Sequence, residues 1–420
     1  MNRRALPGTP RRTPPGTAGT ALAVVLVSML VIVTILPVFL VGALVVQLRA
    51  EFGFTNTIIG ALVASYYVTS GVAAVHLGKA VDRIGWQRAA ILAGIVNATA
   101  AIGLGTLAAT AWQMALFLAL SGLTHAVAMS ASNALIIAAV VHTRQAFVFG
   151  AKQSAAPLGL LLAGASIPML VLTLGWRSAF IAAAVLSGIV AALLPVGTPG
   201  RSENPVPPRR VSEEELTALP PAYPSAARRP MWAWVLAGTA AAAGVGALSS
   251  FLVATAVATG LSQSTAGTLL VVASLCGIGV RLLTGLVIDL RGSAGTNAVI
   301  WLIASGCIGF VLLATQQPSA VVLGALVAFG CGWGWPGAFH FAVVRQNAAR
   351  PAAATGAIHA GLTIGAASGP LIFGALIDVA SYTAAWLVTS TFTLAAALVL
   401  ALTRDRRASF LDDGRAEPHR

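Results

Sequence analysis

Residues 78–88 read Gly78-Lys79-Ala80-Val81-Asp82-Arg83-Ile84-Gly85-Trp86-Gln87-Arg88, and they separate two long apolar runs, 55–77 and 89–110. A glycine, an acid and a base are followed by a second glycine and a second base. Glycine allows sharp turns and a close approach of neighbouring backbone, and Asp82, Arg83 and Arg88 form a local cluster of charge. The pattern predicts a tight, charged hairpin of eleven residues at a membrane surface. The alternative is an ordinary loop with solvated charges.

The composition indicates a membrane protein. Of the 420 residues, 57% are hydrophobic and 9% are charged, which leaves too little polar surface for a soluble fold. Backbone groups in lipid need partners within their own segment, so we expect helices, each needing roughly 18 to 20 apolar residues to cross a bilayer. We predict an all-α polytopic membrane protein with twelve transmembrane helices, covering 21–48, 55–78, 89–110, 113–140, 146–173, 178–196, 231–258, 264–289, 297–316, 319–344, 353–378 and 383–402.

The net charge of +13 is distributed unevenly between the two sides of the predicted membrane. Two basic residues, Lys152 and Arg281, lie inside spans. Arg49 and Arg177 fall on one set of loops, and the other 21 of the 25 basic residues fall on the opposite set and the two tails. Cytoplasmic loops are enriched in Lys and Arg. We therefore predict a multi-pass protein of the cytoplasmic (inner) membrane with both termini in the cytoplasm, and no nucleic-acid partner.

The two halves of the chain repeat each other. Gly285-x-x-x-Asp289, followed by Arg291, lies 207 residues after Gly78-x-x-x-Asp82. A single match of this kind can arise by chance, whereas two matches at nearly the same offset indicate a repeat.

The second match is the pair Arg144 and Gly150, which recurs 206 residues later as Arg350 and Gly356. The two offsets favour a duplicated six-helix unit. We predict a disordered cytoplasmic tail at 1–20, six-helix bundles at 21–196 and 230–403, a cytoplasmic linker at 197–229 with one short helix near 212–216, and a second tail at 404–420.

The stretch at 78–88 resembles the loop between spans 2 and 3 of the major facilitator superfamily, G-x-x-x-D-R-x-G-x-x-R. The resemblance covers about residues 21–403, and in the second half Leu290 stands where an arginine is usual. It implies two pseudo-symmetric six-helix bundles that hold substrate at their interface and give alternating access by rocking. It also implies that the loop acid braces the neighbouring half. The gate residues it indicates are Gly78, Asp82, Arg83, Gly85, Arg88, Gly285, Asp289 and Arg291.

The nature of the substrate is predicted from charge at membrane depth, which is costly and usually functional. Lys152 and Arg281 lie inside spans, whereas no Asp or Glu lies at comparable depth. A guanidinium offers two parallel donors to a carboxylate, so we predict a small organic anion that binds Arg281 and Lys152. Two structural alternatives remain open. Arg281 could pair with Asp289 or cap carbonyl groups, and Lys152 could extend to the interface.

Histidines extend the predicted binding site. Of the four within the assigned spans, His359 lies near the repeat-equivalent position of Lys152, and His125 and His340 lie on spans 4 and 10. The fourth, His76, borders the 78–88 stretch and is expected to be structural. An imidazole titrates near neutral pH. We therefore expect His359, His125 and His340 near the substrate, where one could carry a coupling proton.

Similarity within the superfamily supports an anion porter. Arg281-x-x-x-Gly285 resembles the arginine position of monocarboxylate and oxalate porters. Three further stretches, 150–157, 175–177 and 333–337, are similar to bacterial members grouped near cyanate and nitroimidazole transporters. The runner-up is a proton-coupled drug or metabolite exporter, although the exporter run G-x-x-x-G-P-x-x-G-G is missing from span 5 and appears in related form only at Gly365-x-x-x-Gly369-Pro370.

Other classes of function have less support. There is no Walker loop, no G-x-S-x-G elbow and no metal-spaced His/Glu set, so we predict no enzyme, no catalytic residue, no metal and no cofactor. The three cysteines all fall in apolar spans. A transporter-like receptor without flux is the third interpretation. We expect a monomer in the lipid bilayer. Arg outnumbers Lys by 23 to 2, a composition that indicates a bacterial source.

Overall fold

The computed structural model describes residues 17–139, 152–197, 229–291, 295–347 and 351–403. Within these ranges twelve helical segments are long and apolar enough to cross a membrane, which confirms the predicted number of spans and the all-α class. The predicted linker helix, most of both tails and the repeat positions Arg144, Gly150 and Arg350 lie outside the described residues.

We number the described helices in chain order. The first half contains α1 Thr17–Ala43, α2 Val45–Phe52, α3 Asn56–Ile84, α4 Trp86–Thr106, α5 Ala111–Ala139, α6 Ala155–Ser166 and α7 Arg177–Gly197. The second half contains α8 Met231–Ala258, α9 Gln263–Arg291, α10 Thr296–Ala314, α11 Pro318–Val327, α12 Pro336–Gln346, α13 Pro351–Val379 and α14 Tyr382–Leu402. A π-helical segment, Ile167–Val171, follows α6 and leads into a last helical turn, Leu172–Leu174, and another, Ala328–Gly332, follows α11.

The stretch around Gly85 is not a hairpin loop. α3 continues through Asp82 and Arg83 to Ile84, and α4 begins at Trp86, so Gly85 alone lies between the two helices. Its φ of +87° is a conformation that glycine adopts at no steric cost. The prediction of an eleven-residue hairpin is therefore wrong. Residues 79–84 contain no glycine or proline that would end the helix, so α3 extends beyond its apolar run.

The first span is also shorter than predicted. α1 ends at Ala43, a turn follows at Leu44, and the remaining residues form the separate short helix α2. The chain leaves α2 at Gly53, whose φ is +67°. α2 carries exposed Glu51 among its last residues, so its polar side lies at the end of the bundle. The predicted end of the first span at residue 48 is therefore corrected to Ala43, where the turn at Leu44 interrupts the helix.

Small residues allow the helices to approach closely. Gly365 and Gly369 of α13 lie against the backbone of α8, where an added Cβ atom would collide with the carbonyl oxygens of Thr239 and Ala243. Helices in lipid gain little from the hydrophobic effect and associate through such backbone proximity and packing. The glycine run noted in this span is therefore a packing surface within the second half.

The bundle has two ends, which we name by one residue each. The Asp378 end contains the hydrogen-bonded pairs Glu51 with Trp176, Gln47 with Gln263, and Asn56 with Asp378. The Gly85 end, opposite, contains the junction of α3 and α4.

An ion pair joins α2 to the start of α7 at the Asp378 end. Nη1 of Arg177 lies 2.6 Å from the Glu51 carboxylate, and the indole of Trp176 donates to the same carboxylate. The Arg177 guanidinium also lies over the Trp176 ring, 4.4 Å from its centroid. The hydrogen bond from Trp176, followed by the interactions with Arg177, holds the pKa of Glu51 below its usual value although partial burial opposes them. All these contacts lie within the first half of the chain.

Candidate functional site

Lys152 lies at an interruption of the fifth predicted span. Gln153 and Ser154 form a turn, and α6 begins at Ala155. The prediction of one continuous helix over 146–173 is therefore wrong. Lys152 is only 4% exposed, and its ammonium group donates to Oδ1 of Asn133 on α5. This burial disagrees with the alternative in which the side chain extends to the membrane interface.

Proline explains the interruption. Pro157 has no backbone N–H, so it cannot donate to the carbonyl of Gln153 four residues earlier, as a residue inside a helix would. The Gln153 carbonyl therefore needs another donor if it is to be satisfied away from water. This donor comes from the second half of the chain.

Arg281 of α9 supplies it. Nη1 donates to the Gln153 carbonyl at 2.7 Å, and Nη2 donates to the Trp333 carbonyl at 2.7 Å. Trp333 follows the π-helical segment before α12, outside any helix. The guanidinium therefore connects two interruptions of the helical backbone, one in each half. Carbonyl groups that lack a helical partner at membrane depth need another donor, and Arg281 satisfies two of them.

The charge of Arg281 is buried without a carboxylate beside it. The side chain is 9% exposed, and its Nε–H has no partner among the described residues. Asp289 lies exposed near the end of α9, so the alternative of an Arg281–Asp289 pair is wrong. The alternative in which Arg281 caps carbonyl groups is the one found. Carbonyl dipoles solvate a guanidinium but do not neutralise it, so a buried positive charge and a free donor remain.

His125 belongs to a polar network between α1, α3 and α5. Its Nδ1 lies 3.1 Å from the Thr34 hydroxyl, which donates to the Leu30 carbonyl at 2.9 Å. The hydroxyl oxygen therefore accepts from His125 Nδ1–H, which assigns the tautomer from the network. Tyr66 donates to the Thr34 carbonyl at 3.1 Å. In the neutral ring Nε2 is then an acceptor.

His340 has the same tautomer for a different reason. Its Nδ1 lies 2.8 Å from the Pro336 carbonyl, and a carbonyl only accepts, so Nδ1 carries the proton. His359 is exposed on α13, as is His76 on α3.

The five predicted binding residues lie within electrostatic range of Lys152 or are linked to it through Gln153. Lys152 acts electrostatically on all three histidines, and Arg281 also acts on His340. Gln153, which holds Arg281, is the residue next to Lys152. The two cations therefore meet at one backbone segment, residues 152–153.

The predicted gate residues lie apart from this cluster. The side chains of Asp82, Arg83 and Arg88 are exposed at the Gly85 end, and so are those of Asp289 and Arg291. Gly78 and Gly285 lie within α3 and α9. Within the described ranges, no hydrogen bond or ion pair connects Asp82 to the other half.

Sequence reasoning missed several members of the site. These are Thr34 and Asn133, which hold His125 and Lys152, and the carbonyl groups of Gln153 and Trp333. The signal for one of them was present, because Pro157 frees the carbonyl of Gln153. Among the described residues, no group of three His, Cys, Asp or Glu side chains is placed to hold a metal ion.

Comparison with known proteins supports the sequence resemblance. The family model of the Major Facilitator Superfamily matches residues 20–349. No curated protein matches the chain.

Solved structures share the fold at low sequence identity. A bacterial homolog to the human lysosomal transporter Spinster, inward-facing and occupied, has a TM-score of 0.69 and 16% identity, covering 95% of this chain and 99% of that chain. Its inward-facing, unoccupied form has a TM-score of 0.69 and 15% identity, covering 96% and 100%. The nucleoside transporter NupG has a TM-score of 0.71 and 14% identity, covering 91% and 99%. At such identities these likenesses show the fold alone.

Proposed function

Since the chain belongs to the major facilitator superfamily, we propose that it is a secondary active transporter that moves a small organic anion by alternating access. We place it in the bacterial cytoplasmic membrane with both termini in the cytoplasm, as the distribution of basic residues suggests. Arg281 and Lys152 are the proposed anion ligands. His125, His340 and His359 complete the site.

One observation carries the substrate class. Arg281 is buried, it has an Nε–H donor without a partner, and no described carboxylate contacts it. A buried charge is strongly unfavourable unless paired. A carboxylate brought by the substrate would supply both the missing charge and an acceptor for Nε–H. Lys152, one residue from the Gln153 carbonyl that holds Arg281, would contribute a second positive charge.

The histidines suggest how a proton could accompany the anion. The inferred tautomers of His125 and His340 leave Nε2 of each as an acceptor, and both rings lie under the influence of Lys152. An anion bound between them would offset the repulsion between Lys152 and a protonated ring. Proton uptake and anion binding would then favour each other, as linkage requires of coupled sites.

Alternating access is supported by the unequal packing of the two ends. At the Asp378 end, α3 and α13 touch where Gly374 meets the backbone of Asn56. Toward the Gly85 end, the one described residue that a Cβ atom on Gly78 would meet within 4 Å is Ser130 of its own half, and a Cβ atom on Gly356 would meet no described atom within that distance. We infer that the two halves separate from the Gly85 end in this state.

The gate residues are proposed to act in the opposite state, in which the Gly85 end closes. Asp82→Asn should then slow turnover while leaving anion affinity near that of the wild type, because Asp82 lies outside the binding cluster. Counterflow rates and equilibrium binding, measured on the same preparation, check this. A variant with normal turnover and weakened binding would remove Asp82 from the gate.

The proposed function is tested first by a ligand screen. Purified protein is heated with small carboxylates, with their uncharged amides and with cationic drugs, and the unfolding temperature is recorded. We expect saturable stabilisation by one or more carboxylates only, since ligand binding raises the stability of the folded state. Stabilisation by cationic drugs alone would favour the exporter interpretation and contradict the anion site.

Flux is then measured in proteoliposomes. A carrier shows saturable counterflow of the labelled carboxylate, driven by unlabelled carboxylate inside the vesicles. Binding without counterflow would identify a receptor and contradict the transport proposal.

A further inference from the structure

We propose that Asp378 is a latch that connects the two halves and closes the Asp378 end of the transporter. Its carboxylate, near the end of α13, accepts four hydrogen bonds from the start of α3. Oδ1 accepts from the backbone N–H and the side-chain amide of Asn56, at 3.0 and 2.7 Å. Oδ2 accepts from the backbone N–H and the hydroxyl of Thr57, both at 2.7 Å. The partners are more than 320 residues apart in sequence.

The chemistry of the helix terminus favours this contact. The first N–H groups of a helix have no partner inside it, and the helix dipole places partial positive charge there. Thr55 caps α3 from its own half by accepting from the Ile58 N–H at 3.2 Å. The N–H groups of Asn56 and Thr57 are left, and Asp378 accepts from both. Hydrogen bonds to a carboxylate are stronger than those between neutral groups.

Close packing around the latch makes the contact depend on the relative position of the halves. An added Cβ atom on Gly374, one turn before Asp378, would collide with the backbone of Asn56. One on Gly60 of α3 would lie 2.7 Å from Cα of Leu371. No side chain separates the two backbones at these points. The four hydrogen bonds therefore form only while α3 and α13 touch.

Among the described residues, two further side-chain contacts cross between the halves at this end. The Arg49 guanidinium interacts with the Tyr382 hydroxyl. Nε2 of Gln47 donates to Oε1 of Gln263 at 2.9 Å. The Gln47–Gln263 bond joins neutral groups and Arg49 contributes one contact, whereas Asp378 contributes a charge and four hydrogen bonds. Opening this end requires all of them to break, and the Asp378 contacts are the strongest.

The chain supplies a matched control in Glu51. Its carboxylate also lies at the Asp378 end and is also hydrogen-bonded, but its partners Trp176 and Arg177 belong to the same half. Loss of Glu51 removes an acid and its bonds without releasing one half from the other. The latch inference rests on alternating access and not on the anion, so its failure and that of the substrate class are distinguishable.

The test measures the distance between the halves without substrate. Spin labels are placed at Leu107 and Ser319, which are exposed at this end on the first and second half. The cysteines at 276, 307 and 331 are replaced by serine beforehand. In lipid nanodiscs, pulsed electron resonance then gives the distance distribution of the parent, of Asp378→Ala, of Asp378→Asn and of Glu51→Gln.

We expect Asp378→Ala to shift the distribution toward longer distances and Glu51→Gln to match the parent. Asp378→Asn, which keeps one acceptor oxygen, should fall between them. Thr57→Val removes one of the four donors and should give a smaller shift, which keeps the test valid if Asp378→Ala fails to fold. Unchanged distributions in Asp378→Asn and Thr57→Val, or an equal shift in Glu51→Gln, would overturn the latch.

Discussion

Arg281→Ala should abolish carboxylate counterflow, with a loss of at least about 100-fold in the rate at low substrate concentration. A hydrogen bond to a charged group contributes about 1.5–3 kcal/mol, and each 1.4 kcal/mol corresponds to about tenfold in affinity. A two-pronged contact between the guanidinium and a carboxylate therefore accounts for a loss of this size. The measurement is initial counterflow in proteoliposomes, normalised to the amount of folded protein.

Arg281→Ala also leaves the carbonyl groups of Gln153 and Trp333 without their donors, so two controls are needed. Arg281→Gln keeps an N–H donor but not the charge, and Arg281→Lys keeps the charge but not the planar fork. If the charge matters most, lysine should retain more transport than glutamine. Arg177→Ala removes a guanidinium outside the site and should transport normally. Full counterflow in folded Arg281→Ala would exclude Arg281 as an anion ligand.

Gly369→Ala should destabilise the protein by about 1–3 kcal/mol, the usual range for overpacking. The added Cβ atom would lie 2.6 Å from the carbonyl carbon of Ala243 and at the same distance from its Cα atom. These are backbone atoms of α8, which cannot turn aside as a flexible side chain would. α8 and α13 must separate, and the gain in helix propensity, about 1 kcal/mol for alanine over glycine, does not offset this collision.

Gly356→Ala is the matched control for that substitution. Gly356 lies in the same helix, and an added Cβ atom would meet no described atom within 4 Å. The same gain in helix propensity applies there without a collision, so its thermal unfolding temperature should equal or exceed that of the wild type. Equal unfolding temperatures for Gly369→Ala and the wild type would contradict the close packing of α8 and α13.

The number and class of the spans were predictable from the sequence because each needs only a sufficient apolar length. Their ends were less predictable. Glycine and charge around Gly85 indicate a boundary, but they do not distinguish a loop from a helix that extends past its apolar run, as α3 does. The turn at Leu44, which ends α1, follows Gly42 by two residues, and one glycine inside an apolar run does not by itself predict the end of a helix.

The candidate site, too, was only partly predictable from the sequence. The sequence identifies Lys152 and Arg281 as charges at membrane depth, because their neighbours are apolar. It does not tell which face of each helix they occupy. The pattern of side chains also does not identify the main-chain carbonyl groups to which Arg281 donates. The missing N–H of Pro157 explains afterwards why the Gln153 carbonyl is available to Arg281.

The hydrogen bonds between Asp378 and the start of α3 could not be predicted from the sequence. Asp378 reads as one of several acids near span ends. Its partners, Asn56 and Thr57, begin a helix more than 320 residues away. Only the packing of α3 against α13 brings them within reach.

The central claim, that a buried and unneutralised guanidinium binds an anionic substrate, is tested most directly by equilibrium binding. The carboxylate identified by the screen and its uncharged amide are titrated into wild-type protein and into folded Arg281→Ala, in the same lipid and buffer. The account predicts that the wild type binds the carboxylate at least about 100-fold more tightly than the amide, and that Arg281→Ala loses this preference. Equal affinity of the wild type for the two ligands, or an unchanged preference in Arg281→Ala, would contradict it.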